Sequence, residues 1–290
     1  SCTVYEPDLY GADGYAPEQI VEITSEDDVP VTFVNHYSAA ALTLNKIVDG
    51  DAADLIVEVD PEYELSVVCL AGGIGAPPTS PLTTVFDGPV TIRGGESVVL
   101  TDAAGDPILL PHDARCWATE TQTGGAHVVD VDHDDEANAV WVGIDDELQE
   151  IAITATNTYN PATLTISKRV VLGASGPYTF NVECTVPSGT AGAAMPLPLD
   201  VSAYLLAHGE SAEITVIDGA TCTVTEEPVA DAAVDIVDSD PDSDGGDADG
   251  VVTIDDEAAV AFTNVFGAGS IELTKRVTGP GAAFAPESFD

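Results

Sequence analysis

Three lysines, three asparagines and three glutamates recur along the 290-residue chain at spacings that chemistry can use. The lysines stand in LTLNKIV (Lys46), LTISKRV (Lys168) and IELTKRV (Lys275). The asparagines stand in VTFVNHY (Asn35), ITATNTY (Asn157) and VAFTNVF (Asn264). The glutamates each follow a cysteine by four residues, in SCTVYEP (Cys2, Glu6), RCWATET (Cys116, Glu120) and TCTVTEEP (Cys222, Glu226). Side chains alternate faces along a strand, so parity assigns neighbours. Lys46 shares a face with Leu42, Leu44 and Val48, Asn157 with Ile153 and Ala155, and Glu120 with Cys116 and Ala118; the other copies follow the same pattern. All nine polar groups are expected to face inward.

Burying an unpaired ammonium is expensive, so lysine, asparagine and glutamate aimed at one interior need a joint reason. One reason is chemical. A desolvated lysine becomes a neutral amine nucleophile, and an asparagine carboxamide is an acceptor that loses ammonia on attack. A glutamic acid in the same apolar pocket can polarise the amide and shuttle the proton. The product would be an intramolecular Lys–Asn isopeptide bond, made once and without a cofactor. The alternative is an ordinary Lys–Glu ion pair hydrogen-bonded to an Asn amide in a satisfied polar cluster.

The elements that must position these residues are strands in a repeating unit. Asn35 to Asn157 and Lys46 to Lys168 both span 122 residues, while Asn157 to Asn264 and Lys168 to Lys275 both span 107. Each asparagine precedes the next lysine by 11 residues. A Gly-Glu-Ser turn and an alternating strand recur at GGESVVL and HGESAEI. Residues 1–38 are therefore expected to be the C-terminal part of one repeat, 39–160 and 161–267 complete repeats, and 268–290 the start of another. Units of this size fit an immunoglobulin-like β-sandwich and are too long for solenoid repeats. No long run of apolar residues at helical spacing occurs, so the expected fold class is all-β, tandem sandwiches with little helix. The constant 11-residue junction suggests a repeated, rather stiff interdomain geometry.

Composition excludes partner classes. Asp plus Glu number 51 against 7 Lys plus Arg, giving a formal charge of −44. Such a surface repels phosphate backbones and anionic headgroups, so no nucleic-acid partner is expected. The sequence holds no apolar stretch long enough to span a membrane. It opens at Ser1 and closes after the strand-like run Ala283 to Phe289, as if cut from a longer protein, and any signal or anchor would lie outside it. Each complete repeat holds two cysteines, Cys69 with Cys116 and Cys184 with Cys222, leaving Cys2 without a partner in this window. One bridge per repeat implies an oxidising, extracellular setting; five unpaired core thiols are the alternative.

The lysine in a KxV first strand, the Cys-x-x-x-Glu strand and the closing T-N-x-Y-like strand resemble the collagen-adhesin B-type (Cna-B-like) repeats of Gram-positive surface proteins and pili. They resemble more closely the disulfide-containing relatives in actinobacterial cell-surface proteins. The family's Glu-x-x-Ala-Pro-x-Gly-Tyr segment is absent as such; Glu6-Pro7 and Glu227-Pro228 come near it, and Glu120 is followed by Thr121. The resemblance implies inverse immunoglobulin-like sandwiches that form isopeptide bonds and serve as a stalk on a cell surface or cell wall. Carried over by position, Lys46, Glu120 and Asn157 serve the first complete repeat, and Lys168, Glu226 and Asn264 the second. Glu6, Asn35 and Lys275 belong to truncated repeats. No turnover of an external substrate is expected.

Two further readings follow from the residues. The first complete repeat holds both tryptophans, Trp117 and Trp141, and an Ala71–Pro81 insertion, so an adhesin gripping a host protein or glycan would use its loops. A filament subunit completing its cut repeats with another chain is disfavoured, because 268–290 and 1–38 together fall well short of a 107-residue unit. The acidic run Asp238–Asp249 lacks the twelfth-position glutamate of an EF-hand, which leaves weak Ca2+ binding as a residual expectation. The His127–Glu136 cluster has no histidine counterpart in the next repeat, and no dedicated metal site is expected there. His36, His112 and His208 carry no signal.

Overall fold

The computed structural model describes residues 1–6, 18–24, 28–35, 37–72, 82–143, 148–187, 194–239, 250–267, 274–279 and 282. Ahead of the first sandwich stand β1 (Cys2–Val4) and β2 (Gln19–Val21), paired antiparallel. The first sandwich contains β3 (Ala39–Asp49), α1 (Ala53–Val57), β4 (Glu62–Ala71), β5 (Thr83–Arg93), β6 (Ser97–Val99) and β7 (Leu109–Pro111). It continues through β8 (Arg115–Gln122), β9 (Val128–Val131), a 3-10 turn at Glu136–Asn138, β10 (Val140–Trp141) and β11 (Gln149–Thr158). The second contains β12 (Pro161–Val171), β13 (Tyr178–Pro187), β14 (Ala194–Pro196), β15 (Ala203–Leu206) and β16 (Ser211–Ile217). It closes with β17 (Thr221–Glu226), β18 (Ala232–Asp238), β19 (Val251–Thr253) and β20 (Glu257–Phe266).

Each sandwich follows the same plan. In the first, β10-β8-β4-β5 form one sheet and β6-β3-β11-β9 the other, with β7 also on β3. In the second, β14-β13-β17-β19 face β16-β12-β20-β18, with β15 on β13. The protein is all-β, as its alternating sequence implies. Alternation is visible in β3, where Ala40, Leu42, Leu44 and Lys46 are buried and the residues between them are partly exposed. Those inward side chains meet Leu65, Val67, Cys69, Cys116, Ala118, Ile153 and Ala155 in one core, and Leu164, Ile166, Phe180, Val182, Val224, Val260 and Phe262 fill the other.

The first and last strands of each sandwich are parallel neighbours. β3 and β11 pair with Val48 opposite Asn157, and β12 and β20 with Val170 opposite Asn264. A parallel pair needs a long crossover, here supplied by all the strands in between.

The junction between the sandwiches is short and packed. Only Tyr159 and Asn160 separate β11 from β12. The Asp218 amide donates to the Asn160 carbonyl, and the Ala52 amide to that of Tyr159. The helix α1 is absent from the sequence expectation, because five residues are too few to show helical periodicity. Its Ile56, with Ala52 and Tyr159, joins the core of the second sandwich. Gly50 makes this approach possible: at φ +100° a Cβ there would lie 2.3 Å from the Tyr159 carbonyl oxygen. Among the described residues no helix is long and apolar enough to cross a membrane.

Candidate functional site

In the first sandwich three strands deliver three groups to one point. β3 contributes Lys46, its parallel neighbour β11 contributes Asn157, and β8 on the facing sheet contributes Glu120. Lys46 and Asn157 share the inward face because Asn157 sits opposite Val48, two residues beyond the lysine. The Lys46 Nζ lies 2.8 Å from Glu120 Oε2, and the Asn157 Nδ2 donates to Glu120 Oε1 at 2.7 Å. One carboxylate thus bridges amine and amide. The side chains of Lys46 and Glu120 are wholly enclosed, and Asn157 is completely buried.

The second sandwich repeats the arrangement. Lys168 Nζ lies 2.8 Å from Glu226 Oε1 and 2.9 Å from Oε2, and Asn264 Nδ2 donates to Oε1 at 2.8 Å. Burial pushes both lysines below the ordinary lysine pKa, and the hydrogen bond and charge of the paired glutamate oppose that shift.

The cluster is not fully satisfied. The carbonyl oxygens of Asn157 and Asn264 are buried without a hydrogen-bond donor among the described residues. Leaving such an acceptor unpaired costs about 1–3 kcal/mol.

Aromatic groups complete the site, and the sequence reading does not name them. The Tyr63 ring lies 4.4 Å from Lys46 Nζ, and the Tyr178 ring 4.8 Å from Lys168 Nζ. The repeat carries their signal, since each tyrosine precedes the first cysteine of its unit by the same six residues. In the first sandwich Tyr63 and Tyr159 share a hydroxyl hydrogen bond of 3.0 Å. The Thr123 carbonyl accepts from both Tyr159 Oη (3.0 Å) and Asn157 Nδ2 (2.8 Å). Burial raises the pKa of both phenols, keeping them neutral donors. A Cβ at Gly124, whose φ is +59°, would lie 3.0 Å from both the Tyr159 Oη and the Tyr63 ring. In the second sandwich Phe266 takes the place of Tyr159, and the Tyr178 hydroxyl donates instead to the Ala174 carbonyl at 2.6 Å.

The cysteines pair within each sandwich, Cys69 with Cys116 and Cys184 with Cys222. Both bridges join directly opposed residues on neighbouring strands of one sheet, and each tethers the glutamate-bearing strand. Cys2 is free. Ahead of the first sandwich, Asn35 Nδ2 donates to Glu6 Oε1 at 3.0 Å, so two members of the triad meet there too. Lys275 is exposed and lies outside any strand.

The remaining sequence features are placed as follows. His127 Nδ1 is 2.7 Å from Asp218 Oδ2 across the junction, and His133 Nδ1 is 2.6 Å from the Asn138 carbonyl. Among the described residues no three His, Cys, Asp or Glu side chains gather to hold a metal. Residues 240–249 of the acidic run, His36, most of the Ala71–Pro81 insertion and the Ala283–Phe289 run lie outside the described residues. Trp141 is 55% exposed, with the Arg115 guanidinium 5.7 Å from its ring.

Comparison with solved structures finds similar β-folds at low identity. The major pilin T-13 of Streptococcus pyogenes is 11% identical, with 78% of this chain and 97% of that chain covered and a TM-score of 0.42. The shaft pilin spaA of Lactobacillus rhamnosus GG is 12% identical, with 80% and 100% covered and a TM-score of 0.32. An adhesin of Mobiluncus mulieris, described as containing intramolecular disulfide, isopeptide and ester bond cross-links, is 13% identical, with 72% and 86% covered and a TM-score of 0.28. No curated protein matches the chain. A family model matches twice, over residues 42–160 and 164–267, and the chain therefore belongs to the domain family of unknown function DUF5979.

Proposed function

We propose that the chain is a segment of an extracellular stalk on a cell surface, each complete repeat locked by its disulfide and by a self-formed isopeptide bond. The bonds are Lys46–Asn157 and Lys168–Asn264. The observation that carries this reading is the single carboxylate bridging amine and amide in both sandwiches. Positioning of this kind turns an otherwise slow amide exchange into an intramolecular step.

The atoms balance within the site. One Nζ proton of Lys46 passes to Glu120, and the neutral amine attacks Cγ of Asn157. A second Nζ proton, relayed through the same carboxyl, reaches Nδ2. The Cγ–Nδ2 bond breaks and ammonia leaves, while the third Nζ proton stays on the new amide. A neutral amide and a neutral acid then stand where an ion pair was buried, which removes its desolvation cost. Glu226 does the same for Lys168 and Asn264. Tyr63 and Tyr178 hold the amines against their ring faces, and Thr123 orients the leaving nitrogen of Asn157.

The geometry suits a load-bearing role. Lys46 lies on the first strand and Asn157 at the end of the last, so tension crosses from β3 to β11 without passing through the strands between. The disulfides and the acidic surface fit an oxidising, extracellular setting. The intact mass of the purified chain tests the proposal. The expected mass is below the sequence mass by two ammonias, besides the hydrogens lost to the disulfides, and Glu120→Gln restores one ammonia. An unmodified mass in the folded protein refutes it.

A further inference from the structure

The reactive groups of the first sandwich are braced from the second. Tyr159 stands between the two: it is wholly buried within the hydrophobic cluster of the second sandwich, while its hydroxyl is bonded inside the site of the first. There it meets the Tyr63 hydroxyl at 3.0 Å, and the ring of Tyr63 lies against the Lys46 amine. It also donates to the Thr123 carbonyl, the same oxygen that accepts from Asn157 Nδ2. One hydroxyl is thus tied to the surroundings of both the nucleophile and the leaving group.

The turn that carries Thr123 rests on the second sandwich as well. A Cβ at Gly125, whose φ is +77°, would lie 3.0 Å from Pro187 Cδ and 3.5 Å from Val186 Cβ, at the end of β13. Ala126 packs against the core of the second sandwich. His127 Nδ1 lies 2.7 Å from Asp218 Oδ2, and the other oxygen of that buried carboxylate accepts from the Asp256 amide at 3.2 Å. Three consecutive residues therefore meet the second sandwich just after the carbonyl that aims Asn157. Packed side chains and hydrogen bonds in continuous contact are what carry coupling between sites.

We infer that Tyr159 and the 123–127 turn are positioning elements through which the second sandwich sets the reactive geometry of the first, so that closure of the Lys46–Asn157 bond waits for the second sandwich to fold. This inference rests on the isopeptide chemistry proposed above. Attack on an amide depends steeply on placement, and a displacement of about 1 Å costs on the order of a hundredfold in rate. Domains fold in chain order during synthesis, yet a repeat braced from its successor cross-links only after that successor has formed. In the second sandwich Phe266 takes the place of Tyr159 and offers no hydroxyl, so the Lys168–Asn264 bond serves as an internal reference.

The test synthesises the 290-residue chain in an oxidising cell-free reaction, quenches samples in acid at intervals and digests them. Mass spectrometry follows the Lys46–Asn157 and Lys168–Asn264 branched peptides separately. Tyr159→Phe, which keeps the buried ring, should slow the first branch by about tenfold or more and leave the second at its original rate. Asp218→Ala, made inside the second sandwich, should do the same. Asp218→Asn, which keeps both hydrogen bonds of that side chain, should restore the first branch. A substitution that acted only by loosening the fold around it would slow the Lys168–Asn264 branch, because Asp218 belongs to that repeat. An unchanged first branch in Tyr159→Phe or in Asp218→Ala, or equal slowing of both branches, overturns the inference while leaving the isopeptide chemistry standing. An unsubstituted chain that forms neither branch refutes the underlying chemistry.

Discussion

Replacing Glu120 by Gln keeps the shape of the side chain and removes its ability to take a proton, so the first repeat should fold without the proposed Lys46–Asn157 bond. The mechanical consequence can be worked from the strand positions. Ala39 to Thr158 spans 120 residues, of which the 47-residue separation between Cys69 and Cys116 stays closed while the disulfide is intact. At about 3.5 Å per residue, and with about 35 Å between the ends of the folded parallel strands, unfolding this repeat should release about 220 Å. Reduction frees the closed loop and raises the step to about 380 Å. In the unsubstituted protein the path runs along β3 to Lys46, across to Asn157 and out, and those strands are already extended. Single-molecule pulling should then show no step from either complete repeat, oxidised or reduced. Glu120→Gln should show one step, because the second repeat keeps its own bond. A step of about 220 Å from the unsubstituted first repeat would refute the reasoning, as would the absence of any step in Glu120→Gln.

Three other outcomes are expected. In Asn157→Ala, which keeps Lys46 and Glu120 but cannot cross-link, burial lowers the folded-state pKa of Lys46 below 10.5. The unfolded chain then binds more protons between the two values, so stability should rise with pH through that window and level off above 10.5. Chemical denaturation of this variant against Asn157→Ala/Lys46→Met isolates the effect. The disulfide of the second repeat closes a loop of 38 residues, so Cys184→Ala/Cys222→Ala in an Asn264→Ala background should lose about 4 kcal/mol by denaturant titration. Ile56→Ala opens a cavity at the junction core and should cost about 2–5 kcal/mol, read as earlier proteolysis between the two sandwiches.

Much of the site was legible because strands have a period of two and the repeat occurs more than once. Parity along LTLNKIV and ITATNTY was enough to turn Lys46 and Asn157 inward, and the constant Cys-x-x-x-Glu spacing did the same for Glu120 and Glu226. The rings over the lysines were carried by the same repeat but not by any rule of residue type, since an aromatic residue on an inward face reads as core. The helix α1 was invisible: its contribution comes from what Ile56 touches in the next sandwich, and a five-residue segment leaves no periodic trace.

The sequence by itself determined the repeat spacing, the all-β class, the inward direction of Lys46, Lys168, Asn157, Asn264, Glu120 and Glu226, and one disulfide per complete unit. These are local properties, fixed by alternation, composition and spacing along a single strand. The inward direction expected of Lys275 does not hold, since it is exposed and outside any strand. Only the tertiary structure decided which partners meet. It placed the first and last strands in parallel with Asn157 opposite Val48, and brought Glu120 from the facing sheet to span amine and amide. Register between strands distant in sequence depends on how two sheets bury their apolar faces together. No single strand encodes that choice, and the chemistry of the site depends on it.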